Sequence, residues 1–165
     1  MKNIKEYFRE YTGQEKVAKY LLETGLSVGE GNIYCNGVKM SPSKIGRVLG
    51  VDRRTVTATV DTIENTEDIR DIFGNLRSTA FFKDVAMNTE AGLIEVIPTD
   101  PHQTGILAGI SKIIAELGIS IRQSITEDPE FKEEPKLYVI TESPVPMEAI
   151  EDMRDVKGVL SVTIY

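Results

Sequence analysis

The chain's single histidine, His102, stands in a polar stretch, T-D-P-H-Q-T-G at residues 99–105, that runs straight into an apolar helical pattern. A helix start leaves four backbone N–H groups without partners. Such a turn can receive an anionic or carbonyl group of a small ligand. A second set of residues, Asp52, Arg53 and Arg54, opens another helical pattern. Guanidinium groups match phosphate and the guanine edge in geometry and charge. Catalytic arrangements are missing by comparison. Cys35 has no His or second Cys nearby for a nucleophile pair or a zinc set. No G-x-G-x-x-G follows a strand pattern, and no G-x-x-x-x-G-K-[ST] occurs. The run E-D-P-E-F-K-E-E at 127–134 reads as a solvated hairpin tip. Binding rather than catalysis is therefore expected, with no metal and no cofactor.

The elements that must position these residues have to fit into 165 residues, room for one ordinary domain or two small ones. Hydrophobic residues at 41% and charged residues at 27% are proportions of a water-soluble globular chain. No apolar run reaches the roughly 18 residues of a membrane span, and the charged start, M-K-N-I-K-E-Y-F-R-E-Y, is no secretory signal. A lone cysteine fits a reducing compartment, so the cytoplasm is expected. The net charge of −7 is unevenly spread. Residues 1–64 hold ten basic and eight acidic side chains, whereas residues 65–165 hold nine and eighteen. Any contact with nucleic acid must then come from the first part, because phosphate binding depends on local positive charge.

Along the first part, Ile4, Tyr7, Phe8 and Tyr11 predict a helix over residues 2–11. Thr12 and Glu15 predict a capping box for a second helix, with Val17, Ala18, Leu21 and Leu22 inward and Gly25 as its stop. Asn36-Gly37 between short apolar runs predicts a hairpin, with Cys35 as a small buried hydrophobe. Ser41-Pro42 is a helix start, Ile45, Val48 and Leu49 its inward face, and Gly46 a place for close approach by a neighbouring helix. Gly50 ends that helix, Asp52 caps the next, and Val56, Val60 and Ile63 face the core.

This helix pair resembles the helix-turn-helix of DNA-binding regulators, through Ile45, Gly46, Leu49, Gly50, Val51 and Val56. The outward candidates for DNA contact are Asp52, Arg53, Arg54, Thr57, Ala58 and Asp61. Arginines in a first turn oppose the helix dipole by about 0.3–1 kcal/mol each at low salt. Contact with phosphate or guanine would account for them. A solvated first turn partly offset by Asp52 is the plainer alternative. Thr57 and Thr59 depart from good helix formers, and extra basic charge is scarce, so each subunit should bind weakly and a dimer is expected.

Ile69, Ile72, Phe73 and Leu76 predict a connecting helix over about 67–73, followed by a strand at 79–82 and a helical turn at 83–87. Without a Pro/Ser-rich linker, the halves are expected to dock. The remainder reads as strand 93–97 with Glu95 at its centre, helix 105–117 with Ile106, Leu107, Ile110, Ile113, Ile114 and Leu117 inward, and a strand on which Ile119, Ile121, Gln123 and Ile125 alternate. Then follow strand 136–141, a helix opened by Pro146 with Ile150 and Met153 inward, and a last strand, 159–165. The expected fold is α+β: a helical domain with a small β-hairpin at 1–65, a connecting segment at 66–90, and a ferredoxin-like βαββαβ domain at 91–165.

D-P-H-Q-T-G-I-L at 100–107, A-E-L-G-I-S-I at 115–121 and K-G-V-L-S-V at 157–162 resemble the ACT domain, a small ligand-sensing module. Together with G-V-D-R-R-T-V and S-I-R-Q-S-I-T-E-D-P-E, nearly the whole chain resembles predicted archaeal regulators of amino-acid metabolism. The resemblance implies side-by-side pairing of ACT domains and an amino-acid effector at the pair interface. It places the ligand at Asp100, His102, Gln103, Thr104, Gly105, Ile106 and Ile121. The N–H groups of Gly105 and Ile106 would hold a carboxylate, Asp100 an amino group, and His102 or Gln103 would read a side chain. Asp100 and His102 also fit as ordinary turn residues, and some ACT domains only dimerise. The implied function is a cytoplasmic homodimeric regulator of transcription that responds to an amino acid. The alternative is a non-catalytic regulatory subunit of a biosynthetic enzyme. The residues leave open whether dimers assemble further.

Overall fold

The computed structural model describes residues 4–129 and 132–165, and of Ile4 and Lys5 the backbone alone. The chain divides into two compact units, Met1–Ala80 and Phe81–Tyr165.

In the first unit the predicted opening helix is a short 3-10 turn, Ile4–Phe8. Lys2 and Asn3 lie outside the described residues. Phe8 is fully buried, but Tyr11 is exposed because it has left the turn to become the N-cap of α1, Thr12–Thr24. Thr12 is thus already helical, and the expected capping box does not form. Val17, Ala18 and Leu21 supply the buried face of α1.

A meander of three antiparallel strands follows: β1 (Ser27–Gly29), β2 (Asn32–Cys35) and β3 (Val38–Met40). The foreseen Asn36-Gly37 turn joins β2 to β3. Glu30-Gly31, with φ of 52° and 70°, makes the second tight turn, which was not foreseen. Cys35 is only half-buried, its Sγ 3.5 Å from Ser78 Oγ.

Helix α2, Pro42–Leu49, ends at Gly50 with φ 66°, and α3, Arg53–Asn65, starts three residues later. Gly46 is needed for close approach, but to the turn rather than to a neighbouring helix. A Cβ there would meet Val51 O at 2.7 Å. Val48 is 69% exposed and does not face inward. Val56, Val60 and Ile63 do, at 0–2% exposure. Each such buried side chain contributes about 1.5–3 kcal/mol. Lys16 Nζ donates to Leu49 O at 2.5 Å, a cation at the negative end of α2.

Helix α4, Glu67–Gly74, buries Ile69 and Phe73 in this same core, so it belongs to the first unit and not to a separate connector. Residues 79–82 form no strand. The amide side chain of Asn36 instead clasps the backbone of Ser78, donating to its carbonyl at 3.0 Å and accepting its N–H at 3.2 Å.

The second unit opens with α5, Lys83–Ala86, and then runs β4 (Gly92–Pro98), α6 (Ile106–Glu116), β5 (Ile121–Thr126), β6 (Leu137–Thr141), α7 (Ala149–Arg154) and β7 (Val159–Ile164). The sheet order β5-β6-β4-β7 with all neighbours antiparallel is the ferredoxin-like arrangement. Ile94, Val96, Val139 and Val162 point to one face, where Ile106, Ile110, Ile114 and Met153 from α6 and α7 cover them. On the other face Leu93, Tyr138 and Ile140 pack against Ala86 of α5.

Leu107 and Leu117 are 43% and 42% exposed, so the buried stripe of α6 is narrower than its apolar composition suggests. Burial alternates along residues 119–125, but the face served is not the same throughout. The register slips between Ile121 and Gln123, which puts Ile121 on the helix face and Gln123 opposite Ile140 on the other. Pro146 opens a turn rather than a helix. Ala149 and Ile150 make i→i−3 bonds to Pro146 and Met147 before α7 begins, and Ile150 is only half-buried.

Glu95, at the centre of β4, is 7% exposed on the α5 face. Lys136 Nζ donates to it at 2.7 Å and Lys83 Nζ lies 3.6 Å away. Burial pushes the Glu95 carboxyl up, but the hydrogen bond and charge of Lys136, with those of Lys83, outweigh it and hold the pKa below its usual value. Tyr138 completes the cluster. Lys83 Nζ is 3.2 Å from its hydroxyl and 4.4 Å from its ring centroid.

Candidate functional site

Two places collect the residues singled out for chemistry, one in each unit. In the first unit, Asp52 Oδ1 accepts the N–H of Arg54 at 2.7 Å and so fixes the start of α3. The next residues outward on this helix are Arg53, Arg54, Thr57, Ala58 and Asp61. With Asp52 they border one open depression. All are exposed except Ala58, which is half-buried. The Thr57 hydroxyl donates back to Arg53 O at 3.2 Å, as a threonine in a helix commonly does. Buried Thr59 does the same toward Thr55 O at 2.8 Å, so its hydroxyl has a partner within the helix. Among the described residues neither arginine forms an ion pair with a carboxylate. The face can make charge-assisted hydrogen bonds to an external anion. Lys44 and Arg47 of α2 are also exposed. They add basic charge on the helix that precedes α3.

In the second unit, the loop before α6 is tied down from two sides. Thr99 donates from both its N–H (2.8 Å) and its hydroxyl (3.1 Å) to Gly158 O. Asp100 closes a turn on itself, its Oδ1 accepting the His102 N–H at 2.9 Å and its carbonyl accepting the Gln103 N–H at 3.0 Å. His102 and Thr104 point to solvent. Gln103 lies against the turn at Gly158, where a Cβ would come 2.4 Å from its Cγ. Gly105 holds φ 95°, with open space where a side chain would begin. Its carbonyl accepts from Gly109 N at 2.9 Å, so the N–H groups of the first turn of α6 face outward from the helix end. The Ile106 side chain is 7% exposed and packs in the core.

Beside this turn lies a cavity of about 150 Å³. Of the seven residues placed at the ligand, Gln103, Gly105 and Ile106 line it. Asp100, His102 and Thr104 do not. Ile121 is at the other end of the sheet. Its level is that of Thr141 and Gly92, whereas the loop leaves from Pro98. Five residues of strand separate it from Thr126 at the cavity, about 17 Å. Within one chain the structure does not bring Ile121 to the loop. The other walls come from β4, the base of the β5–β6 hairpin and Leu107. These residues are scattered over forty positions of sequence and carry no local motif, so no pattern in the loop itself could reveal them.

Among the described residues no three His, Cys, Asp or Glu side chains gather to hold a metal, and no helix is long and apolar enough to cross a membrane. No protein-family model matches the chain, and no curated protein matches it. Among solved structures, the C-terminal domain of the MgtC protein from Mycobacterium tuberculosis shares 18% identity over 46% of this chain and 84% of its own, with a TM-score of 0.37. An AsnC family transcriptional regulator from Agrobacterium tumefaciens shares 15% identity over 93% of this chain and 87% of its own, with a TM-score of 0.27. Neither similarity is near enough to carry function.

Proposed function

We propose that this chain is an effector-responsive regulator of transcription in amino-acid metabolism. The pair α2–α3 acts as a helix-turn-helix on DNA, and the second unit acts as an ACT domain that senses an amino acid and pairs with a second copy. The observation that carries this reading is the open face of α3, where Arg53 and Arg54 stand at the positive end of the helix dipole without a carboxylate partner among the described residues. Recognition helices enter the major groove with their N-terminal residues leading, and these are the residues such a geometry would bring to phosphate and base edges.

The turn at Gly105 supports the sensor half of the reading, since outward N–H groups at a helix start suit the carboxylate of an amino acid. An effector can act only by binding two arrangements of the dimer unequally, with a coupling of typically about 1–3 kcal/mol. The competing role, a non-catalytic subunit that docks on a biosynthetic enzyme through the same helices, has no observation specifically in its favour.

The test is selection of sheared genomic DNA on the purified full chain near physiological salt, with and without mixed amino acids. Enrichment of a few upstream sites, altered by amino acids, is expected. Absence of enrichment under both conditions overturns the transcriptional reading.

A further inference from the structure

The effector site proposed above leaves the effector's side chain unspecified, and the cavity beside the Gly105 turn is informative about it. Its walls are Val96, Pro98 and Leu137 from the sheet, Pro101 from the loop, and Ile106 and Leu107 from α6. Two charged residues also border it. Lys136 Nζ is bonded to Glu95 at 2.7 Å, and Glu127 Oε2 accepts the Lys136 backbone N–H at 3.2 Å. The Gln103 amide donates to Thr104 O at 3.1 Å. Thr126 stands at the exposed rim. Asp100 and His102, the polar residues that a reading of the loop alone would assign to the ligand, do not line the space.

A polar or charged group seated among Val96, Pro98, Pro101, Leu107 and Leu137 would lose water and find no hydrogen-bond partner in those side chains, which is unfavourable. An apolar cavity of about 150 Å³ can hold a hydrocarbon the size of benzene, so an aliphatic side chain fits.

We propose that the effector is an amino acid with an aliphatic side chain, seated among Val96, Pro98, Pro101, Leu107 and Leu137, with its carboxylate at the first turn of α6. This rests on the reading of that turn as an effector site. Valine and threonine have the same shape, and an apolar pocket discriminates against the added hydroxyl by about 100-fold.

Calorimetric titration of the full chain with valine, leucine, isoleucine, threonine, aspartate, lysine and tryptophan tests the proposal. Valine or a larger branched residue should bind, with valine favoured over threonine by about 100-fold. Leu107→Asn, at a side chain 43% exposed, should leave thermal unfolding in place and shrink that preference at least tenfold. Threonine, aspartate or lysine binding as tightly as valine overturns the aliphatic class. If Gly105→Leu abolishes that polar ligand's binding, the effector site itself stands. Valine binding that Leu107→Asn leaves untouched overturns the seating in the cavity. Heat from none of these amino acids overturns the proposal together with the effector reading beneath it.

Discussion

Glu95 lies in the middle of a sheet with a lysine on either side, whereas Arg53 and Arg54 stand in the open at the start of α3. Both groups are clusters of charge set on regular elements, and they differ in what the fold does with them. The Glu95 cluster is consumed internally. Its carboxylate is buried, Lys136 and Lys83 satisfy it, and Lys83 also rests on Tyr138. A buried charge is tolerable only when it is paired and hydrogen-bonded, so these residues are explained by the structure they hold together. The arginines are not. They hold nothing in place among the described residues and sit where the helix dipole opposes them. Charge that the fold does not need is the better pointer to something outside the molecule.

Stability measurements can break this comparison. Lys136→Met leaves the buried carboxylate of Glu95 with only the longer contact to Lys83. It should destabilise the second unit by about 2–3 kcal/mol, the worth of a hydrogen bond to a charged group, as read by urea unfolding. The same cluster sets a pH dependence. The folded pKa of Glu95 is depressed, so its stabilisation is present above the unfolded value of about 4.3 and is lost as pH falls through the folded one. Lys136 is raised by its bond to Glu95, so its share is full below about 10.4 and is lost as pH rises through the folded value. Unfolding midpoints measured from pH 3 to 11 should fall at both ends, and Glu95→Gln should flatten the acid limb.

Gly105→Leu has a smaller expected cost, about 1–2 kcal/mol, from placing a side chain at φ 95° in otherwise open space. Its larger consequence should be loss of the response to amino acids. The smallest change is expected for the arginines. Arg53→Ala with Arg54→Ala should alter unfolding by no more than about 0.5 kcal/mol, as befits exposed side chains that pair with no carboxylate among the described residues. A loss as large as that of Lys136→Met would erase the contrast between the two clusters.

Much of the architecture was legible in local chemistry. Ser41-Pro42, Gly50 and Asp52 mark the ends of α2 and the start of α3 because each satisfies a specific backbone need. The alternation of apolar residues gave the βαββαβ order correctly. What escaped depends on geometry that no short window contains. Val48 looks inward by spacing, but an eight-residue helix ending at a tight turn buries only a narrow stripe, and Ile45 and Gly46 already fill it. Leu107 reads as core for the same reason and instead borders the cavity. The slip between Ile121 and Gln123 arises from pairing with β6, whose register the β5 sequence cannot state. Thr12 is a good cap by type, but the preceding 3-10 turn delivers Tyr11 to that position. The open face of α3 was legible almost residue for residue. The Gly105 loop was legible only in part, because half of its surroundings come from β4 and the β5–β6 hairpin.

The exposed arginines are expected to serve an external phosphate partner. The direct measurement is the affinity of the full chain for a selected DNA site at stepped salt, compared with the Arg53→Ala/Arg54→Ala protein. Each phosphate contact contributes about 0.9 to the slope of log affinity against log salt. Weaker binding and a slope shallower by up to about 2 are expected in the double variant. Equal affinity and an unchanged slope would contradict that role.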